Sequence, residues 1–192
     1  ETDNPIEKLK DLTGKLVGAN LEPVDKNADL SELKDELSKG RHATVETFKK
    51  AEELGMDFIL LTGNPKTGVS NKSIEEATKL AKENFNGIII AGKMHGAGVN
   101  EKVVDLKAIE GFIENGADMV LIPAAGTVAG VTFDDVKAAC DLIRSKGKLS
   151  LVANGTSQDD SQEEVIRDIA IMNKMAGADL HHIGDAGPGG IA

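Results

Sequence analysis

The sequence predicts an α/β protein whose parallel strands curve around one axis, as part of a (β/α)8 TIM barrel. Three segments that match one another, ELGMDFILLTG, ENGADMVLIPA and KMAGADLHHIG, are the first observation. Their glycines stand at positions 55, 116 and 177, so 61 residues separate each from the next. Gly87 and Gly147 lie midway between them, which is the second observation. Each glycine follows a helical pattern and precedes a short apolar run, which is typical of the helix-to-strand junction in a parallel sheet.

Six apolar runs are the predicted strands: KLVGANLEP from Lys15, DFILLTG from Asp57, GIIIAGK from Gly87, DMVLIPA from Asp118, LSLVANG from Leu149 and DLHHIG from Asp179. A closed barrel needs eight strands and usually about 250 residues, but this chain has 192. We therefore expect one domain over residues 1–192 that carries strands three to eight of a barrel. An open parallel sheet is the alternative.

The helices between the strands are predicted from their start signals and their apolar stripes. Asn4, Ser73 and Ser161 each begin a four-residue pattern that is typical of a capping box. An apolar stripe at helical spacing makes Cys140 a structural residue; its members are Phe133, Val136, Cys140 and Ile143.

Residues 24–43 interrupt the period. Leu30, Leu33 and Leu37 predict a short amphipathic helix within this insertion. In a barrel the insertion would follow the C-terminal end of a strand, where lids over active sites occur. A plain surface excursion is an equally good interpretation.

Composition limits the possible partners. The formal net charge of −10 repels nucleic-acid phosphates and anionic lipid, so neither is an expected partner. The apolar runs are far shorter than the roughly 20 residues of a membrane helix. One cysteine in the whole chain fits a reducing compartment, and the predicted location is the cytoplasm.

Polar residues follow the predicted strands at their C-terminal ends, where TIM barrels carry their active sites. The candidate catalytic residues are Glu22, Lys93, His95, His182 and Asp185. The candidate substrate-binding residues are Asn20, Asn64, Asn154, Gly155, Thr156, Ser157, Gly184, Gly187, Gly189 and Gly190.

The adjacent histidines of DLHHIG are predicted to face opposite sides of their strand. Aligning the repeats on their glycines places His182 with Leu60 and Leu121 on the face toward the barrel interior, and His181 on the face toward the helices. His182 is therefore the candidate proton carrier or ligand, because histidine titrates near neutral pH.

The loop GDAGPGG and the segment NGTSQ predict an anion site after the last two strands, because such loops offer backbone N–H groups to a phosphate. A divalent metal held by Glu22, His95, His182 and Asp185 is a further possibility. Lys93 is expected in the loop above the barrel mouth, as an electrophilic amine or as a solvated lysine.

The runs GANLEPV, LTGNPKTGVSN, AGKMHGAGV, LIPAAGTVAGVT and KMAGADLHHIGDAGPGGIA carry a resemblance. They are similar to a bacterial TIM-barrel family whose members have names such as phosphoenolpyruvate phosphonomutase-like or haloacid dehalogenase-like hydrolase. The resemblance implies two further strands before Glu1. The chain departs from true phosphonomutases, since it lacks their acidic signature loops, and from haloacid dehalogenases, since it lacks their DxD start.

The sequence therefore predicts a TIM-barrel enzyme that acts on a small phosphorylated or carboxylated metabolite by lyase, isomerase or hydrolase chemistry. A non-catalytic metabolite-binding barrel and an assembly subunit are the alternatives. Because a six-strand piece leaves sheet edges unpaired, we expect a homo-oligomer or completion of the barrel by a further segment.

Overall fold

The structure, a computed structural model, describes residues 4–31, 36–155 and 161–183. Six parallel strands form one sheet in the order β1-β2-β3-β4-β5-β6, so each pairs with its neighbours along the chain. The strands are β1 Gly18–Leu21, β2 Phe58–Leu61, β3 Ile88–Gly92, β4 Met119–Pro123, β5 Leu149–Ala153 and β6 Leu180–His182. All six predicted strands are confirmed. They curl into a half-barrel, which is a partial TIM-barrel arrangement.

Six α-helices alternate with the strands: α1 Pro5–Thr13, α2 Val45–Glu53, α3 Asn71–Asn84, α4 Leu106–Glu114, α5 Phe133–Ser145 and α6 Glu163–Ala176. Asn4 caps α1 as predicted, because its side chain accepts from the N–H groups of Ile6 and Glu7. The prediction for Ser73 is wrong by three residues. Ser70 is the N-cap of α3, and Ser73 is its reciprocal capping partner.

The sheet separates two apolar clusters. The larger one joins the strands to the helices and includes Ile59, Ala91 and Val152. The smaller one contains Ile90, Met119, Leu121 and Ala153, with Phe58, Leu60, Met94 and Leu151 packed against it. Because neighbouring residues of a strand point to opposite faces, this second face is the concave face of the half-barrel, and the predicted inward set of Leu60 and Leu121 is confirmed.

The 61-residue repeat has a structural counterpart in three aspartates that each precede an even-numbered strand. Asp57 accepts the N–H of Val17 at 2.9 Å, and Asp118 accepts the N–H of Ile89 at 3.1 Å. Asp179 accepts both the N–H and the hydroxyl of Ser150, at 2.9 and 2.8 Å. Each carboxylate thus joins the N-terminal ends of two paired strands. The strand pairs β1–β2, β3–β4 and β5–β6 are held in register in this way.

Gly92 ends β3 in a conformation that requires glycine. Its φ is +143°, and a Cβ at this position would lie 2.0 Å from the carbonyl oxygen of Leu121. No rotamer change relieves a contact with backbone. The close approach of β3 and β4 at this point brings the loops that follow them together at the C-terminal edge.

The insertion 24–43 crosses the C-terminal ends of the first three strands. The N–H of Asp25 donates to the carbonyl of Gly68 at 2.8 Å, and that of Ser31 donates to Gly98 at 2.9 Å. The segment then returns to β1, where the N–H of Glu22 donates to Arg41. Its described part contains a short 3-10 helix, Lys39–Arg41, but no α-helix. Leu30 instead forms an antiparallel bridge to Val99.

Candidate functional site

The candidate residues gather at one edge of the sheet. Since all strand pairs are parallel, the C-terminal ends of the six strands share that edge. Glu22 and Asn64 follow β1 and β2, Lys93 and His95 follow β3, and Asn154 and His182 lie at the ends of β5 and β6. Asn20, within β1, is exposed on the concave face, where it pairs with Leu60.

Glu22 is completely buried, at 0% exposure. One carboxylate oxygen accepts from the backbone N–H of Asn64 at 3.0 Å; the other accepts from the side-chain amide of Asn64 at 2.9 Å and from the guanidinium of Arg41. Both oxygens therefore have donors from the protein. This arrangement is that of an anchored carboxylate, which fixes Arg41 and the loop after β2 relative to β1.

Lys93 lies directly after β3, but it is buried and does not project above the mouth as expected. Its side chain is fully buried, and its amine donates to the carbonyl of Val69 at 3.2 Å and pairs with Glu101. Burial lowers the pKa of the amine, although the pair with Glu101 acts in the opposite direction. Glu101 also accepts the N–H of Asn71 at 2.7 Å, so the cluster joins the loops after β2 and β3.

His95 is a local hydrogen-bond acceptor. Its Nδ1 accepts the N–H of Ala97 at 3.0 Å, so Nδ1 carries no proton and the neutral ring holds its proton on Nε2. Ala97 has a positive φ of 53°, a conformation that is uncommon for residues other than glycine. The imidazole thus stabilises a tight loop.

His182 has the opposite tautomer. Its Nδ1 lies 3.2 Å from the backbone carbonyl of Asn154, and a carbonyl can only accept, so Nδ1 carries the proton. Nε2 is then the basic nitrogen. No described residue hydrogen-bonds to Nε2. His182 pairs with Ala153, a residue of the concave cluster, so the ring belongs to the concave face.

His181 faces the helix side, because it pairs with Val152 of the larger cluster. Partial burial lowers the pKa of His181, which disfavours its charged form. The predicted opposite orientation of the two histidines is therefore confirmed.

Two buried side chains at the strand ends have no hydrogen-bond partner in the described part of the chain. Asn154 is 3% exposed and has neither amide atom bonded; Thr62 is 4% exposed and its hydroxyl is unpaired. An unpaired buried polar group costs about 1–3 kcal/mol. Such groups are therefore candidates for contact with a ligand.

Several predicted site residues lie outside the described residues: Asp185, Thr156, Ser157, Gly184, Gly187, Gly189 and Gly190. Gly155 is described and is buried at the end of β5. Among the residues that the structure describes, no group of three or more His, Cys, Asp or Glu side chains is arranged to hold a metal ion.

Two residues of the site were missed by the sequence analysis. Arg41 and Glu101 are far from their partners along the chain, and charged loop residues give no signal of the ion pairs that they form. Thr62 ends an apolar run, and its place at the C-terminal end of β2 indicates the concave face.

A groove of about 590 Å³ opens elsewhere, on the helix side of β1. It is lined by Ala19, Leu21, Thr47, Leu54 and Met56, among others. None of the candidate residues lines it, so its size carries no argument about the strand-end site.

The fold and the strand-end site define a partial TIM-barrel α/β protein. The chain belongs to the DUF7916 family, described as a domain of unknown function, which it matches over residues 1–192. No curated protein matches the chain. Within the described residues, none of the helices has the length and hydropathy that crossing a membrane requires.

Two solved structures share the fold at low identity. Deoxyribose phosphate aldolase from Aeropyrum pernix, described as a unique tetrameric structure, has a TM-score of 0.61 at 12% identity; the match covers 98% of this chain and 73% of the aldolase. Oxaloacetate acetylhydrolase, solved with its product oxalate, has a TM-score of 0.58 at 15% identity, with 93% of this chain and 64% of that chain covered. This chain thus spans less than two thirds of the acetylhydrolase.

Proposed function

We propose that this chain is an enzyme of the TIM-barrel type that removes a proton from a small phosphorylated or carboxylated metabolite, with lyase-type chemistry as the favoured reaction. The observation that carries the proposal is the contact of 3.2 Å between Nδ1 of His182 and the backbone carbonyl of Asn154. A histidine whose Nδ1–H is held by a backbone carbonyl presents Nε2 as a base. Its position at a strand end is where barrel enzymes carry their catalytic groups.

His95 is the proposed second polar group of the site, because it follows β3 at the same edge of the sheet as His182. Asn154 and Asn64 are the proposed orienting residues. The contacts of Glu22 and Lys93 favour positioning roles for both over direct proton transfer or a Schiff base.

The fold neighbours support the class of substrate. Their names refer to deoxyribose phosphate, oxaloacetate and oxalate, which are small anions that carry phosphate or carboxylate groups. At 12% and 15% identity the likeness supports the fold alone, so we extend only the general substrate class to this chain, as a proposal.

Deuterium exchange tests the proposal. The protein is incubated in D2O with a panel of 2-oxo acids and sugar phosphates, and exchange of carbon-bound protons is followed by NMR. We expect exchange with at least one compound, and a fall of at least about 100-fold in His182→Asn, since general-base catalysis contributes about 10²–10⁴. Asparagine keeps an N–H donor for the Asn154 carbonyl but has no base.

His181→Asn is the matched control, because the neighbouring ring faces the helices. Its exchange rate should stay within about threefold of the wild-type rate. Equal losses in both variants would contradict a specific role for His182. Ligand binding without exchange by any panel compound would favour the alternative, a non-catalytic metabolite-binding barrel.

A further inference from the structure

Arg41 combines a fixed position with free hydrogen-bonding capacity. It lies in the insertion 24–43, which returns to β1 at this point and pairs Arg41 with Glu22. The side chain is 38% exposed, and Glu22 is its one side-chain partner among the described residues. A guanidinium has five N–H donors in a planar fork, so most of them are available to a ligand.

We propose that Arg41 and Thr62 form a subsite for the anionic group of the substrate, a carboxylate or a phosphate, at the C-terminal ends of β1 and β2. This subsite rests on the proposed function only in naming the ligand a substrate. Arg41 is not among the residues that the sequence analysis identified, and Thr62 is a polar residue at the end of a predicted strand.

The orientation of Arg41 is established before any ligand arrives. Its partner Glu22 is fully buried and is itself held by the two donors of Asn64. A carboxylate that cannot rotate restrains the position of the guanidinium nitrogen that donates to it. Binding an anion to an ordered arginine then avoids much of the entropy that a flexible surface lysine loses.

Thr62 provides the second, independent observation. It follows β2 in parallel register with Glu22, since its N–H donates to the carbonyl of Leu21 at 3.2 Å. Asn64, the partner of Glu22, lies two residues after Thr62 on the same face. The hydroxyl of Thr62 is buried and unpaired, and it is a donor that an anionic oxygen would satisfy.

Electrostatics favour such a subsite. The chain carries a formal net charge of −10, which repels an anionic substrate at long range. The amine of Lys93 is fully buried and cannot reach a ligand at the mouth, whereas the side chain of Arg41 is 38% exposed. Arginine commonly binds carboxylate and phosphate groups, because its planar guanidinium can donate two parallel hydrogen bonds to them.

Titration calorimetry with two anions and a neutral analogue tests the subsite. Oxalate and inorganic phosphate are the anions, and oxamide is the uncharged analogue of oxalate. We expect the Kd for both anions to rise at least tenfold in Arg41→Met and by a smaller factor in Arg41→Lys, which keeps the charge but loses the fork. The Kd for oxamide should change less than twofold.

Two further variants separate the subsite from general effects. Thr62→Val has nearly the same shape, and we expect it to raise the Kd for oxalate several-fold with no loss of thermal stability. Lys66→Met is the matched control, because Lys66 is an exposed cation in the segment after β2, which also contains Thr62. The anion affinity of this variant should stay within twofold of the wild-type affinity.

Arg41→Met removes the partner of a buried carboxylate, so it can fail to fold. The double variant Arg41→Met with Glu22→Gln removes both charges and retains an acceptor for Asn64; it should fold and show the same loss of anion binding. Wild-type protein that binds neither anion would overturn the proposal, as would unchanged oxalate affinity in a folded Arg41 variant.

Failure of the subsite and failure of the proposed enzyme are distinguishable. His182→Asn should retain oxalate binding within threefold. If no compound exchanges protons but oxalate binding still depends on Arg41, the subsite stands and the enzyme proposal falls. If exchange occurs with an unchanged KM in Arg41→Met, the subsite is wrong and the enzyme proposal stands.

Discussion

Asn154 and His182 illustrate what a single residue contributes to the strand-end site. The backbone carbonyl of Asn154 sets the tautomer of His182, while its side-chain amide is buried without a partner. The backbone and the side chain of Asn154 thus have different roles. The carbonyl orients a base, and the amide is a polar group whose free energy of burial is not offset within the described protein.

We expect Asn154→Leu to separate stability from function. Removing an unsatisfied buried amide in favour of a similar apolar shape should leave the free energy of unfolding unchanged or raise it by about 1 kcal/mol. Proton exchange should fall at least tenfold, because the amide is the proposed contact to substrate. Chemical denaturation and the D2O assay measure the two effects; a loss of more than about 2 kcal/mol in stability would mean that the amide is satisfied.

Residues whose orientation can be predicted from the sequence differ physically from those whose contacts cannot. Strand alternation is local, so the opposite faces of His181 and His182 follow from their positions in the repeat. The ion pairs of Arg41 with Glu22 and of Lys93 with Glu101 depend on where loops cross. For Lys93, polarity suggested a solvated loop position, but the partner carboxylate of Glu101 makes burial of the amine tolerable.

At the scale of elements, the aspartates that precede β2, β4 and β6 explain why the sequence repeats every 61 residues and not only every 30. The repeat of the glycines predicted the strands. It could not reveal the carboxylate contacts, because Asp57, Asp118 and Asp179 bind strands that lie about 30–40 residues earlier. Helix starts were also difficult. Ser73 fits the capping pattern of sequence because Glu76 follows three residues later, but the N-cap of α3 is Ser70, which has Ser73 in the place of the acidic residue.

Asp179 provides a test of these contacts by pH. Burial acts to raise the pKa of Asp179, but the hydrogen bonds from Ser150 outweigh it and the pKa is lowered. A lowered carboxyl pKa stabilises the fold above the unfolded-state pKa, near 3.9, and this contribution is lost as the pH falls through the folded-state pKa. Asp179→Asn should therefore be less stable at neutral pH, by about 1 kcal/mol.

The difference between wild type and Asp179→Asn should disappear in strong acid, where both side chains are neutral. Denaturant unfolding across acid and neutral pH measures it. Asp168→Asn is the control, because Asp168 is exposed on α6 and should change stability by no more than about 0.5 kcal/mol at any pH. A difference that persists unchanged into acid would contradict the explanation.

At the scale of the whole molecule, the concave face is the least complete part of the half-barrel. Ile88, Leu149 and Leu180 belong to this face by register, yet they are between 37% and 47% exposed. A closed barrel fills its interior with such side chains. The exposure shows that the described strands leave this face open, and an open apolar face favours association.

We expect the 192-residue chain to self-associate through this face. Light scattering should give a mass above the 20.2 kDa of one chain, with a dependence on protein concentration. Leu149→Glu should shift the mass toward the monomer, because a charge on the concave face opposes its burial. Leu12→Glu, on the exposed side of α1, is the control and should leave the mass unchanged. A wild-type monomer at all concentrations would contradict this expectation.

The three aspartate contacts also divide the sheet into three strand pairs. Because β1–β2, β3–β4 and β5–β6 are each joined at their N-terminal ends, a cut between β2 and β3 or between β4 and β5 leaves every such joint intact. Fragments separated at these points keep their aspartate contacts, so we expect them to reassemble in the correct order. Recombination of this fold by exchange of whole strand pairs would preserve its architecture, whereas exchange of single strands would not.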